Sequence, residues 1–372
     1  MNASRRRFLQ LAGVAGTGWL VSRPAFGQRS NLAGAKVTVA HAIARLADRT
    51  EVATPYWRIE SGRSGPSFGL IAAQHGNEVI GSEVARRFGE VCARELQAGT
   101  VWLIPMANLL AARARRHSFD LGPEQNNRMH PTKRNNMQRT WPGNPEGNPT
   151  ERIAHALDEA VIRHCTHLVD MHCWQHVTAA ETLAVEDHAA SLAMADVTTT
   201  RFVSRSRANV PAQGAMMVAQ LLQQRKQASM VMELSGQFSM PERQVQMGLT
   251  SMVNLARHLG LLRGQPEHVP TPRVVRVKEK SHEVRALATG MFVPARRGDG
   301  DGALGPEDWV EKGQPLGHII RETDLVTVPH VAPVAGYLWQ FGLCHWTQCD
   351  ASLPALHPYT EEKELLATVV TV

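Results

Sequence analysis

The chain has 372 residues, 43% of them hydrophobic and 20% charged, which is too long for one ordinary small domain and too apolar for a disordered or fibrous protein. The formal charge of +6 does not indicate a nucleic-acid partner. Arg5, Arg6, Arg7 and Arg23 lie in residues 1–27, which carry no acid, so the chain without that stretch has a charge of +2. The five cysteines (92, 165, 173, 344 and 349) contain no CxxC and are odd in number, so they form neither a zinc ribbon nor a disulfide framework. Cys344 and Cys349 could pair in an oxidising compartment, and free buried thiols fit equally well.

The first segment, Ser4-Arg5-Arg6-Arg7-Phe8-Leu9-Gln10, precedes a mild apolar run from Leu11 to Val21 and then Pro24-Ala25-Phe26-Gly27. A basic start, a short apolar stretch and a small-residue exit are the three parts of an export signal. The paired arginines with Phe-Leu behind them resemble the twin-arginine type. The apolar run is about half of what a spanning helix needs, so residues 1–27 are expected to be a signal and no stable membrane anchor. The expected location is the periplasm.

From Val37 to Leu262 short apolar runs alternate with amphipathic stretches. Residues 69–73, 100–104, 167–171 and 230–233 read as buried strands, and 79–96, 151–164, 214–226 and 244–259 as helices. This alternation predicts an α/β fold, a mainly parallel sheet with helices on both faces. Residues 105–150, rich in Asn, Arg, Pro and Gly, are too long for an ordinary connection and are expected to be functional. Residues 178–207 read as loop. From Pro270 the chain changes to short Val-rich runs broken by Gly and Pro, which reads as a small C-terminal β domain (270–372) after a catalytic domain (28–265). The carrier-like Ala332-Pro333-Val334-Ala335-Gly336 tip has no lysine to modify.

His75-Gly76-Asn77-Glu78 follows the strand at 69–73, at the rim of the sheet where ligands of α/β folds bind. His and Glu three apart can share one metal ion, and two histidines, a glutamate and a water form a known catalytic zinc set. His172, closing the strand at 167–171, offers the third ligand, with His164, His167 and His176 as competitors. Asp170, two residues back on the same side, could orient His172 as a carboxylate behind a metal-binding imidazole. Glu233 ends another apolar strand, where poor solvation would raise its pKa toward that of a useful base.

Together with Arg128-Met129-His130-Pro131 and Asn136-Met137-Gln138-Arg139-Thr140-Trp141-Pro142-Gly143, this set resembles the succinylglutamate desuccinylase/aspartoacylase family, relatives of the zinc carboxypeptidases. The resemblance covers roughly residues 65–262 and implies a zinc carboxypeptidase-like fold with one Zn2+ per chain. It implies His75, Glu78 and His172 as ligands and Glu233 as the acid that activates water. It also implies that Arg128 and Arg139 polarise the scissile carbonyl and hold the substrate carboxylate, for which a planar guanidinium fork is suited. Gln138 stands where the family has Asn, Lys133 replaces an acid, and the stretch from Asn108 to Arg128 is longer than usual. These departures bear on the acylated amino acid recognised. The expected activity is hydrolysis of an N-acyl amino acid. A carboxypeptidase acting on short peptides or cell-wall fragments, or a periplasmic metal- or solute-binding protein, are the alternatives. The β domain could shield the site or build a homo-oligomer contact.

Overall fold

Each strand of the central sheet alternates side chains between two apolar layers, and this places helices on both sides of it. The computed structural model describes residues 34–119, 136–210, 216–276, 278–298, 302–346, 354–355 and 357–372. Its large sheet contains β1 (Lys36–Arg45), β2 (Glu51–Glu60), β3 (Ser67–Ala72), β4 (Thr100–Ile104), β5 (His167–Trp174), β6 (Glu181–Val185), β7 (Phe202–Ser206), β8 (Ala228–Ser235) and β9 (Val274–Val275). They lie in the order β1-β2-β4-β3-β5-β8-β6-β7-β9. β4, β3, β5 and β8 run parallel, as do β6, β7 and β9. The β1–β2 hairpin, its junction with β4, and the β6–β8 pair are antiparallel. The sheet is therefore mainly parallel.

On one face Leu70, Val101, Val169 and Met232 pack with α1 (Ile80–Glu95) and a later helix, Glu242–His258. On the other, Ile71, Ile104 and Leu168 meet Ile153 and Leu157. Those two residues belong to the helix Pro149–Ala160, which starts with a capping box. Asn148 accepts from Glu151 N (3.0 Å) while Asn148 N donates to the Glu151 carboxylate (2.7 Å), and Pro149 occupies the first turn. In chain order the helices are α1, α2 (Leu109–Ala114), α3 (Pro149–Ala160), α4 (Ala189–Asp196), α5 (Met216–Arg225) and α6 (Glu242–His258).

Residues 178–207, read above as loop, contain β6, α4 and β7. Glu181, Thr182, Thr198, Thr200 and Ser204 among them are buried and matched to one another. Thr182 Oγ1 lies 2.7 Å from Thr200 Oγ1 and 3.0 Å from Thr198 Oγ1, and Ser204 Oγ donates to Glu181. A polar strand residue satisfied this way is as buried as an apolar one, which hides the strand from a hydrophobicity pattern.

Beyond β9 the chain forms β10 (Ser281–Arg285), β11 (Gly290–Pro294), β12 (Trp309–Val310), β13 (Pro315–Arg321), β14 (Thr327–Val331), β15 (Gly336–Phe341), β16 (His345–Trp346), β17 (Pro354–Ala355), β18 (Tyr359–Thr360) and β19 (Leu365–Val370). Two four-stranded antiparallel sheets, β10-β19-β15-β12 and β14-β13-β11-β18, enclose a separate core that includes Phe292, Ile319, Leu338 and Val369. This module joins the large sheet beside β6: Ala179 N donates to Trp339 O (2.7 Å) and Phe341 N to Val177 O (2.8 Å). Among the described residues no helix is long and apolar enough to cross a membrane.

Candidate metal centre and active site

β3 ends at Ala72, and the chain turns through Ala73, a non-glycine residue at φ 52, into Gln74-His75-Gly76-Asn77-Glu78. Ala107 N and Asn108 N donate to the Ala72 and Ala73 carbonyls (2.9 and 3.1 Å), which fixes the turn against the start of α2. The approach is so close that a Cβ on Gly76 would lie 2.1 Å from the Ala111 carbonyl carbon.

The Glu78 carboxylate sits between two imidazoles. Its Oε1 is 2.9 Å from His75 Nδ1, and its Oε2 is 2.8 Å from His172 Nδ1 and accepts from Cys173 N (3.1 Å). The two Nδ1 atoms are 3.2 Å apart. The residues are 2%, 4% and 2% exposed in the order His75, Glu78, His172. Ligands held about 2.0–2.1 Å from one tetrahedral zinc stand about 3.3 Å from each other. Two nitrogens and a carboxylate already at that spacing, with water excluded, fit a divalent cation in both chemistry and size.

The electrostatics agree with that donor set. Burial pushes the Glu78 carboxyl up, but His75 and His172 outweigh it and hold Glu78 well below the usual range. Burial pulls His172 down, yet Asp170 and Glu78 carry it well above the ordinary imidazole value. A site that concentrates negative charge on buried imidazoles is prepared for a cation.

The rear nitrogens of both rings meet oxygen. His75 Nε2 lies 3.1 Å from Asn136 Oδ1, and His172 Nε2 lies 2.9 Å from Asp170 Oδ1, near enough for an ion pair but misaligned for a hydrogen bond. Asp170 accepts from Gln74 Nε2 (2.6 Å), and Gln74 Oε1 accepts from the indole of Trp141 (2.7 Å). Asn136, Gln74 and Trp141 were not singled out from sequence. The signal available was their position, one residue before His75 for Gln74 and inside the recognition-loop motif for the other two.

Glu233 stands on β8 directly opposite His172 of β5 on one side and Glu181 of β6 on the other, so the three share one face of the sheet. Glu233 is 4% exposed. Burial, with Glu78, Asp170 and Glu181 nearby, raises its carboxyl well above the usual value against the opposing pull of His172. Among the alternative histidines, His176 bonds the Gln237 carbonyl (3.1 Å), His164 stacks on Trp102, and His167 lies beside Thr166.

Arg128 lies outside the described residues. Gln138 and Arg139 occupy a 3-10 turn, Met137–Arg139, adjacent to Asn136 and so tied to His75 through it. Gln138 is buried with its Oε1 lacking a hydrogen-bond partner, and Arg139 is half-buried. The structure thus brings together His75, Glu78, His172, Asp170 and Glu233, with the Gln138–Arg139 turn behind His75. It also adds His117, whose ring stacks on His75 at 3.6 Å between centroids.

Buried donors at the carboxyl ends of neighbouring parallel strands, with the Glu233 carboxyl in register beside them, stand where α/β folds bind their ligands. The chain belongs to the succinylglutamate desuccinylase/aspartoacylase family: the profile of that family's catalytic domain matches residues 64–259. It is 23% identical, over 73% of this chain and 74% of the other, to an N-alpha-acetyl-L-2,4-diaminobutyric acid deacetylase from Halomonas elongata. In fold it resembles an aspartoacylase family protein from Mesorhizobium loti (TM-score 0.64, 17% identity, covering 90% of this chain and 95% of that one). It also resembles the ectoine utilization protein EutE (DoeB) from Ruegeria pomeroyi in its product-bound form (TM-score 0.64, 19% identity, covering 91% and 95%).

Proposed function

We propose that the protein is a zinc-dependent amidohydrolase that removes the acyl group from an N-acylated amino acid. The observation that carries this reading is the Glu78 carboxylate bridging His75 and His172 at 2.9 and 2.8 Å, with Glu233 in register beside it. His75, Glu78 and His172 would hold the ion. When bound, such an ion polarises an amide carbonyl and makes water acidic near neutrality.

The residues of the chain do the rest. Asn136 and Asp170 keep the rear nitrogens of the two imidazoles facing oxygen, which leaves both Nδ1 atoms directed at Glu78. Glu233 takes a proton from the attacking water on a carboxylate oxygen and returns it to the leaving amine. Its raised proton affinity suits a group that takes and returns a proton, and a bound cation would draw that affinity down. Arg139 and Gln138, on the turn that follows Asn136, are assigned to the carboxylate and polar groups of an amino-acid substrate. Arg128 is assigned to the developing oxyanion, a role that commonly contributes about 3–4 kcal/mol. The Arg5-Arg6-Arg7-Phe8-Leu9 start supports action after export to the periplasm.

The test is release of free amine from a panel of N-acetyl and N-succinyl amino acids, with short peptides as comparison, before and after chelation. Chelator-sensitive release from acyl amino acids is expected. Release from peptides alone would replace this reading with a carboxypeptidase. Zinc-loaded protein that cleaves nothing would replace it with a binding protein.

A further inference from the structure

We infer that Gln237 is a positioning residue for Glu78: its side-chain amide, delivered by the turn that follows the Glu233 strand, fixes the rotation in which that carboxylate meets the ion. The inference rests on the metal reading above. β8 ends at Ser235, and the chain then turns through Gly236 at φ 129 and Phe238 at φ 62. Main-chain bonds anchor the turn. Gly236 N and Gln237 N donate to the Trp174 carbonyl (3.0 and 3.2 Å), and Phe238 N donates to the Asn77 carbonyl (2.8 Å), next to Glu78. His176 Nε2 lies 3.1 Å from both the Gln237 carbonyl and Ser239 Oγ. The backbone around Gln237 is thus tied to β5 on one side and to the metal turn on the other.

The Gln237 side chain is buried. Its Nε2 donates to the Cys173 carbonyl at 2.8 Å and to Glu78 Oε1 at 3.3 Å. Both partners are acceptors, so the amide has one workable orientation; turned over, its oxygen would face a carbonyl and a carboxylate. Each oxygen of Glu78 consequently meets one imidazole and one protein N–H. Oε1 has His75 and Gln237, and Oε2 has His172 and Cys173 N. A terminal carboxylate torsion is otherwise broad, and an N–H on each oxygen narrows it. Gln237 Oε1 is buried and has no hydrogen-bond partner among the described residues. An orphan acceptor of that kind weakens a fold, so the stability of the turn does not account for the amide. What the amide secures is Glu78. One short stretch, residues 233–237, thereby supplies the base and also holds a metal ligand.

The test compares wild-type protein with Gln237→Met, Gln237→Asn and Gln244→Met. Met keeps the length of the side chain without its donor, and Asn keeps the amide one methylene short of its partners. Gln244 Oε1 accepts from Ser235 N (3.0 Å), so Gln244→Met loosens the same turn and leaves the Glu78 bond alone. Each protein is titrated with Zn2+ against a chromophoric chelator, loaded with Co2+ for absorption spectra, and unfolded in urea without metal. Both Gln237 variants should bind Zn2+ about 10–100-fold more weakly and show altered visible Co2+ bands, with metal-free urea midpoints near wild type. Gln244→Met should keep wild-type affinity and spectra. Wild-type affinity and spectra in the Gln237 variants overturn the inference and leave the metal reading standing. An equal loss in Gln244→Met, or a metal-free midpoint that falls along with affinity, also overturns it, since Gln237 would then act through packing alone. Wild-type protein that binds neither ion overturns the metal reading together with this one.

Discussion

Gly76→Ala isolates the contribution of backbone closeness to the metal turn. The added methyl would meet the Ala111 carbonyl carbon at 2.1 Å, its oxygen at 2.2 Å and Ala112 N at 2.4 Å, all of them main-chain atoms that no rotamer change can move. Restoring an ordinary 3.4 Å contact requires the α2 backbone or the 75–78 turn to retreat by about 1.3 Å. Overpacking of this kind costs about 1–3 kcal/mol of stability, and the retreat is shared with the His75 and Glu78 side chains on either side of the glycine. A misplacement of about 1 Å in a reacting constellation lowers rate by about 100-fold. The variant should therefore stay folded, with a urea midpoint modestly below wild type, and lose far more in Zn2+ affinity and amine release than in stability. Competition with a chromophoric chelator and a turnover assay on the same sample measure both. A Gly76→Ala protein with wild-type zinc affinity and wild-type turnover would refute the claim that this contact sets the ligand geometry.

Glu233→Gln should cut turnover by about 100- to 10,000-fold while leaving metal binding in place. In metal-free protein the same change should raise the melting temperature by a few degrees at pH 7–8 and not at pH 4. Burial holds this carboxyl's folded pKa above its unfolded value, so the destabilisation by its charge is absent below the unfolded value, grows as pH rises toward the folded one, and then levels off. Asp158 is buried and receives Arg225 through two bonds (2.6 and 2.7 Å), so Asp158→Ala should cost about 1.5–3 kcal/mol in urea unfolding by removing charge-assisted bonds to a partly exposed guanidinium. Trp339→Phe removes the indole donor to Glu181 (3.1 Å) and should cost about 1.5–3 kcal/mol, readable as a lower urea midpoint. A midpoint unchanged by Trp339→Phe would mean that the C-terminal module is held by its other contacts.

The strand that leads into His75 and the strands that carry His172 and Glu233 were legible as short, mostly apolar runs, the mark of a strand buried on both faces. The four helices read from sequence lie close to α1, α3, α5 and α6 for the matching reason, a face of apolar residues at helical spacing. Strand order was not legible. β8 follows β6 and β7 in the chain yet inserts between β5 and β6, and only that insertion sets Glu233 beside His172. The β6–α4–β7 segment was hidden by Glu181, Thr182 and Ser204, polar residues whose partners are distant in sequence. His117 was equally hidden, since a lone histidine in a polar loop acquires meaning only when the fold brings it over His75. Asn136 and Gln74 act through individual side-chain bonds, which no periodicity reports.

The row His172–Glu233–Glu181 crosses three adjacent strands on one face of the sheet. Neighbouring strands stand about 4.8 Å apart wherever main-chain hydrogen bonds hold them, so the interval between His172 and Glu233 is a lattice constant of the sheet, indifferent to the side chains around it. The groups assigned to the substrate lie elsewhere, on the turn at 137–139 and in the long segment before it. Drift in those segments can trade one acyl amino acid for another without altering the reacting interval. A lineage built on this frame can thus diversify what it digests while inheriting how it digests.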